Sequence, residues 1–324
     1  MKTILFYFLF VIILVFAMPI VFTNQFKTEE VSSKEIDIEE NYNYGKYNAI
    51  KLFHIATGTI EELNLDSYLY GVVASEMPAS FEQEALKAQA VVARTYTIYQ
   101  IKNANKHENA DICDSHLCCQ AWISKEERFS KWEDEKREEY WNKIVNAVNE
   151  TRGKIILYNK EPINALFHSN SGGKTELSIN VWGGNFPYFQ TVETSGEDAY
   201  TSYNSEVEVL KEDFIQKMLE KNSKFQIDFN ENECIKILEY TESGRVQKIK
   251  VGNTEITGNE CRQIFGLKSA KFNFKIDGDI IKFSVVGYGH GVGLSQCGSD
   301  VLAKQGKNYM EIIKFYYKDV EINE

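Results

Sequence analysis

An uncharged apolar run near the start of the chain, ILFYFLFVIILVFAMPIVF at residues 4–22, limits everything that follows it. About 20 helical residues cross the roughly 30 Å hydrocarbon core of a bilayer, so this run is long enough to span one. A cleaved signal peptide would show a shorter apolar stretch followed by an A-x-A-like site. The sequence has neither feature, and residues 1–23 read as an uncleaved N-terminal transmembrane helix. Lys2 and the free amine suit a cytoplasmic N-terminus. No second run of this kind occurs, so the rest of the chain is expected on one side of the membrane, outside the cytoplasm. Residues 24–45 are polar, acidic and aperiodic, and read as a tether.

The remaining length supports a sizeable core. The chain has 324 residues, 43% of them hydrophobic, and only four prolines, so most of it should fold. Its net charge of −11, with no basic stripe carrying interleaved aromatics, argues against nucleic acid as a partner.

Residues 46–66 alternate apolar and polar positions around Gly58 and predict strands, with His54 as a structural strand residue. A helix is predicted over about 81–103, opened by a Ser80–Gln83 capping box. Its small residues would let another element come close. Arg94, in the middle of this helix, reads as a surface or salt-bridging residue. Residues 104–133 look irregular, and a charged helix is predicted over about 134–150. KIILYN (154–159) and INALFH (163–168) predict a hairpin. Residues 190–282 look like a second lobe with an amphipathic helix near 207–222 and several strands. Strand and helix do not alternate as a doubly wound sheet requires. The fold class is therefore α+β, a mixture of helices and antiparallel strands in a groove-bearing ectodomain over residues 46–324.

Four stretches could carry chemistry. Glu76 is a lone carboxylate among Val72, Val73, Met77 and Pro78. Desolvation there would raise its pKa, which suits a general acid, although spacing alone fits an ordinary surface glutamate as well. GYGHGVGLSQCG (287–298) alternates glycines around His290, with Ser295 and Gln296 following. It is neither a P-loop nor a dinucleotide fingerprint, and a tight structural loop and a ligand-lining loop are both open. HSNSGGKTE (168–176) offers His168, Ser169 and Ser171 but no nucleophile elbow and no partner carboxylate. CDSHLCC (113–119) places Cys113, His116, Cys118 and Cys119 close together. Zinc and disulfide formation are both open there, since a vicinal cysteine pair does not easily give both sulfurs to one site. Cys234 and Cys261 could pair or stay buried and free, and Cys297 is given no role.

In order along the chain, SYLYGVVASEMPASFEQEALKAQAVVARTYT, HSNSGGKTE, NECRQIFGLKSAKF and GYGHGVGLSQCG resemble the stage II sporulation protein D family and its amidase-enhancer relatives. The resemblance covers roughly residues 46–320. It implies a membrane-anchored peptidoglycan lytic transglycosylase acting in engulfment during endospore formation. Such an enzyme cuts the MurNAc–GlcNAc β-1,4 bond and leaves a 1,6-anhydro-MurNAc end. Glu76, from the S-E-M-P motif, would be the single acid/base. The sugar's own C6 hydroxyl would replace the second carboxylate that glycoside hydrolases normally use. His168, Ser169, Ser171, His290, Ser295 and Gln296 would contact the glycan. The resemblance also raises zinc above disulfide, with ligands from Cys113, His116, Cys118 and Cys119. That zinc would be structural or positioning, because the chemistry needs no activated water. The implied partners are glycan strands stripped of stem peptides by the amidase stage II sporulation protein P, and stage II sporulation protein M, which would help localise the complex. Two rivals are a non-enzymatic activator of a cell-wall amidase and a zinc-dependent hydrolase.

Overall fold

The computed structural model describes residues 47–103 and 106–323. The expected anchor and tether lie outside the described residues, and no described helix is long and apolar enough to cross a membrane. Helices and mostly antiparallel sheets are both present, which makes the fold a mixed α+β one.

The strands expected around Gly58 are Ala49–His54 and Thr59–Asn64, paired antiparallel. Sequence reasoning extended this strand region too far. Asn64 caps a helix, Leu65–Glu76, its side chain accepting from the Asp66 N–H at 2.9 Å. Leu65, Tyr68, Leu69, Val72 and Val73 are buried at helical spacing along it. Pro78 forces Met77 into an extended conformation, φ −126° and ψ 137°, so the helix stops with Glu76 as its last residue.

The alanine-rich helix follows as Gln83–Asn103, with buried residues all around it. It packs against Leu65–Glu76, Asp134–Glu150, Gln296–Lys304 and Tyr309–Tyr316, which its many alanines permit. Its start is not the Ser80–Gln83 box, because the first helical residue is Gln83 itself. The Asp300 carboxylate caps it from a distant part of the chain, accepting from the Glu82 N–H at 2.6 Å. Arg94 is fully buried rather than on the surface. Its guanidinium donates to the carbonyls of Thr151 (2.8 Å), Lys154 (3.2 Å) and Val148 (3.2 Å) and contacts Asp66 (3.4 Å). Arg94 thereby caps the charged helix Asp134–Glu150, supplying donors to carbonyls that a helix end leaves open.

The hairpin is short, Ile156–Tyr158 with Glu161–Pro162. Phe167–His168 pairs instead in parallel with Leu294–Ser295. Between these two segments, residues 204–286 build two three-stranded antiparallel sheets. Residues 204–210, at the edge of the expected amphipathic helix, form a strand, and the helix begins at Lys211. The buried apolar side chains of this segment, including Phe214, Phe265, Ile281 and Phe283, gather in a core of their own. Cys234 and Cys261 are buried there as free thiols.

Candidate active site

The parallel pairing of Phe167–His168 with Leu294–Ser295 brings two of the sequence motifs side by side. The interlock continues through Asn170 and Tyr288, which exchange backbone hydrogen bonds at 3.0 and 2.8 Å, and through the Cys297 N–H to the Ser169 carbonyl at 3.0 Å. Gly289 explains why glycine alternates here. Its φ is +114°, and a Cβ would lie 2.7 Å from the Cβ of His168. The alternating glycines are thus a packing device that lets one motif lie on the other.

A buried carboxylate ties the pair from behind. Glu197 accepts from the Ser171 hydroxyl at 2.5 Å and N–H at 3.1 Å, and from the Ser295 hydroxyl. Ser171 and Ser295 are fully buried and serve this carboxylate, so neither lies on the groove wall. Of the six residues expected to contact the glycan, His168, Ser169, His290 and Gln296 line the groove. Nothing in the local pattern singles out Glu197, one of two adjacent acidic residues in the run TSGEDAY.

The groove has two halves, about 350 and 490 Å³, that share Ser75, Glu76, Ser169 and Gln296. Glu76 therefore stands where they meet, and among the described residues it is the only acidic side chain lining either half. Its Oε1 accepts from the Ala121 N–H at 2.6 Å. Burial nevertheless dominates and pushes its pKa up to about 7, with the Ala121 bond pulling the other way. The C-terminal end of its own helix, negative by the backbone dipole, also disfavours ionisation.

Ala121 reaches Glu76 because the 121–123 segment crosses the Leu65–Glu76 helix at Gly71. A Cβ on Gly71 would lie 2.3 Å from Trp122 Nε1 and 2.6 Å from the Ile123 carbonyl oxygen. Gly71→Ala is expected to cost about 1–3 kcal/mol, as overpacking does. By weakening the Ala121 bond, it should also raise the Glu76 pKa further, which carboxyl NMR titration would show.

Linkage gives a second expectation. The Glu76 carboxyl titrates near 4.5 when unfolded and near 7 when folded. Below about pH 4.5 both states are protonated and there is no penalty; as pH rises through 7, the folded protein loses stability, by on the order of 3 kcal/mol. Glu76→Gln removes the titration, so this variant should become the more stable protein above pH 7 in urea unfolding measured across pH.

The two buried groove histidines, His168 and His290, are neutral. Burial, then His290 and Arg245, hold His168 well below the usual imidazole range. Burial, then Arg262 and Arg245, bring His290 down to about 3. His168 Nδ1 lies 3.1 Å from the Val292 carbonyl, which can only accept, so the proton is on Nδ1. Its Nε2 is then a lone-pair acceptor, buried and without a partner among the described residues.

The cysteine cluster sits on the same loop as Ala121. His107, Cys113, Cys118 and Cys119 place one ligand atom each within 4.8 Å of one another. His107 Nε2 is 3.4 Å from Cys119 Sγ and 3.5 Å from Cys118 Sγ, and the two sulfurs are 3.8 Å apart. A tetrahedral zinc with Zn–S near 2.3 Å has ligand–ligand edges of about 3.8 Å, so the donor set and its spacing fit zinc. Two expectations change. The vicinal pair does present both sulfurs to one point, because a turn donates both the Cys118 and Cys119 N–H groups to the Ser115 carbonyl (3.2 and 2.8 Å). His116 is exposed and lines the groove, while the imidazole beside the thiols is that of His107. Sequence reasoning missed His107, although it precedes Cys113 by only a short loop. All six cysteines are free thiols. Burial raises the Cys113 thiol and pushes Cys119 up to about 12, so metal uptake must displace protons.

Comparison with known proteins places this architecture. Residues 54–158 match the family model described as Stage II sporulation protein, SpoIID. Stage II sporulation protein D of Bacillus subtilis (strain 168) is 34% identical over 279 residues, covering 85% of this chain and 79% of the relative. The chain belongs to the stage II sporulation protein D family. A second member, from Bacillus amyloliquefaciens, is 32% identical over 278 residues, again covering 85% and 79%. A longer relative in Bacillus subtilis (strain 168) named Amidase enhancer is 28% identical over 299 residues, covering 77% of this chain and 39% of the relative. The family-model match contains Glu76, Ala121 and all four residues of the cysteine cluster, while the interlocked glycine motif lies beyond it.

Proposed function

We propose that this sporulation-family chain is a peptidoglycan lytic transglycosylase, cleaving the MurNAc–GlcNAc β-1,4 bond of peptide-stripped strands to leave 1,6-anhydro-MurNAc, during engulfment in endospore formation. The observation that carries this reading is a single carboxyl, Glu76, at the meeting point of a two-sided groove, with a pKa of about 7 and no second carboxylate on the walls among the described residues. Hydrolysis through two carboxyl groups needs a partner that the described residues do not place on the walls. A reaction closed by the sugar's own hydroxyl does not. Protonated Glu76 gives its proton to the leaving glycosidic oxygen, and the C6 hydroxyl attacks the anomeric carbon. The resulting carboxylate takes the hydroxyl's proton, which regenerates the acid. The Ala121 N–H steadies the carboxylate between the two transfers. Ser169 and Gln296, which line both halves beside Glu76, hold the strand at the junction, and neutral His168 forms part of the wall of one half.

Zinc held by His107, Cys113, Cys118 and Cys119 would brace the loop that carries Ala121, two residues past Cys119. Gln120 ties the same loop to the core through Tyr68 at 2.9 Å and Thr97 at 2.8 Å. The metal's part is positional, since no water-derived nucleophile is needed. The chain would be anchored by residues 1–23 with its catalytic domain outside the cytoplasm, in the engulfing mother-cell membrane. Stage II sporulation protein P would strip its substrate, and stage II sporulation protein M would help localise it.

A second reading, activation of a cell-wall amidase without catalysis, is favoured by the relative named Amidase enhancer. Product analysis separates the two. Incubating the full chain with peptide-free glycan strands should release anhydro-MurNAc ends detectable by mass spectrometry. Intact strands, together with a stimulated amidase, would favour the activator.

A further inference from the structure

Two half-buried arginines line the groove, one in each half, with Glu76 between them. Arg128 ends the short helix Lys125–Phe129 and lies in the half with Pro78 and Tyr200. Arg262 comes from the helix Gly258–Phe265 and lies in the half with His168 and Tyr288. Among the described residues they are the only arginine or lysine side chains on the walls. Neither has an acidic partner among the described residues. The Arg262 side chain bonds through Nε alone, to the Leu267 carbonyl at 3.3 Å. The Arg128 guanidinium lies over Trp132 at 4.7 Å, and its buried Nε has no acceptor. Desolvation weighs on both cations.

Elsewhere the buried guanidiniums are hydrogen-bonded several times over. Arg94 has three carbonyls and Asp66, and Arg245 donates to the carbonyls of Lys174 and Ser171. With 47 acidic residues against 36 basic ones, carboxylates are not scarce. Two desolvated guanidiniums without a counter-charge cost stability unless a ligand supplies the anion. A guanidinium fork matches a carboxylate, which is planar and accepts two hydrogen bonds, far better than it matches an amide.

Resting on the transglycosylase reading, we propose that Arg262, with Arg128 on the other side of Glu76, binds the lactyl carboxylate of muramic acid and so selects strands whose stem peptides have been removed. While a peptide is attached, that carbonyl is a neutral amide. After the amide bond is cut, it is an anion. Muramic acid recurs at every second sugar, so a strand running through both halves can offer a carboxylate to each.

The test is calorimetric binding to the full-length Glu76→Gln chain, in which cleavage is suppressed. The probes are a peptide-free GlcNAc–MurNAc tetrasaccharide, its lactyl methyl ester, and the tetrasaccharide still carrying stem peptides. The free acid should bind about ten-fold or more tightly than the ester. That ratio should collapse toward one with Arg262→Met added, shrink with Arg128→Met, and be partly kept with Arg262→Lys, which retains the charge if the Met variant folds poorly. Equal affinity for acid and ester would overturn the proposal, as would a ratio indifferent to both arginines. Equally tight binding of the peptide-bearing strand would also overturn it, because peptide carboxylates would then serve as well. If the free acid is preferred but the wild-type chain releases no anhydro ends, the transglycosylase reading fails and the carboxylate site stands. If no oligosaccharide binds, both fail.

Discussion

Glu76→Gln is expected to lower the release of anhydro-MurNAc ends by at least about 10²–10⁴-fold, the range that general acid–base catalysis supplies. The amide keeps the size of the side chain and can still meet the groove, but it cannot deliver a proton to a glycosidic oxygen. Strand binding should persist, because Ser169, Gln296 and His168 are untouched. In the wild-type protein the rate should be high below the Glu76 pKa of about 7 and decline as pH rises through it, since the acid must start protonated. An activator would instead keep its stimulation of an amidase in Glu76→Gln. Initial rates on peptide-free strands across pH, with the variant alongside, would show both effects.

Removal of the proposed zinc is the second large expected effect. Removing zinc from His107, Cys113, Cys118 and Cys119 should cost on the order of 5 kcal/mol, less than the roughly 10–16 kcal/mol of isolated zinc-finger peptides because this domain keeps its own core. Cleavage should slow as the 114–122 loop loosens and the Ala121 N–H leaves Glu76. The kind of product should not change. A zinc-dependent hydrolase would lose its chemistry outright on chelation while tolerating Glu76→Gln. Thermal unfolding with and without a chelator, and zinc content by atomic emission, would measure this. His107→Ala and Cys113→Ser should lose the metal, and His116→Ala should keep it.

Much of this was legible in the sequence, and the failures have identifiable causes. The Gly58 hairpin and the charged helix over Asp134–Glu150 follow from local patterning, and the structure has both. The helix ending at Glu76 was missed because LDSYLYGVVASE is apolar over most of its length, and a short apolar run does not reveal its period. The Ser80 box failed because a carboxylate from Asp300, far along the chain, caps the next helix instead. Local spacing could flag Glu76 as odd but could not separate a buried acid from a surface one. That distinction depends on Ala121, brought over by the close approach at Gly71. His116 drew attention because it stands inside CDSHLCC, whereas His107 is delivered by the fold, beside Phe53 and the thiols. Glu197 was invisible for the same reason, since its role depends on two serines from motifs that meet only in three dimensions.

The central claim is that one carboxyl suffices because the strand provides its own nucleophile. The most direct test is to digest peptide-free strands with the full chain in heavy-oxygen water and weigh the new ends. The account predicts MurNAc ends one water lighter than the reducing sugar, with no heavy oxygen incorporated, all lost in Glu76→Gln. Reducing MurNAc ends that carry the heavy oxygen would mean that water is the nucleophile, and would contradict it.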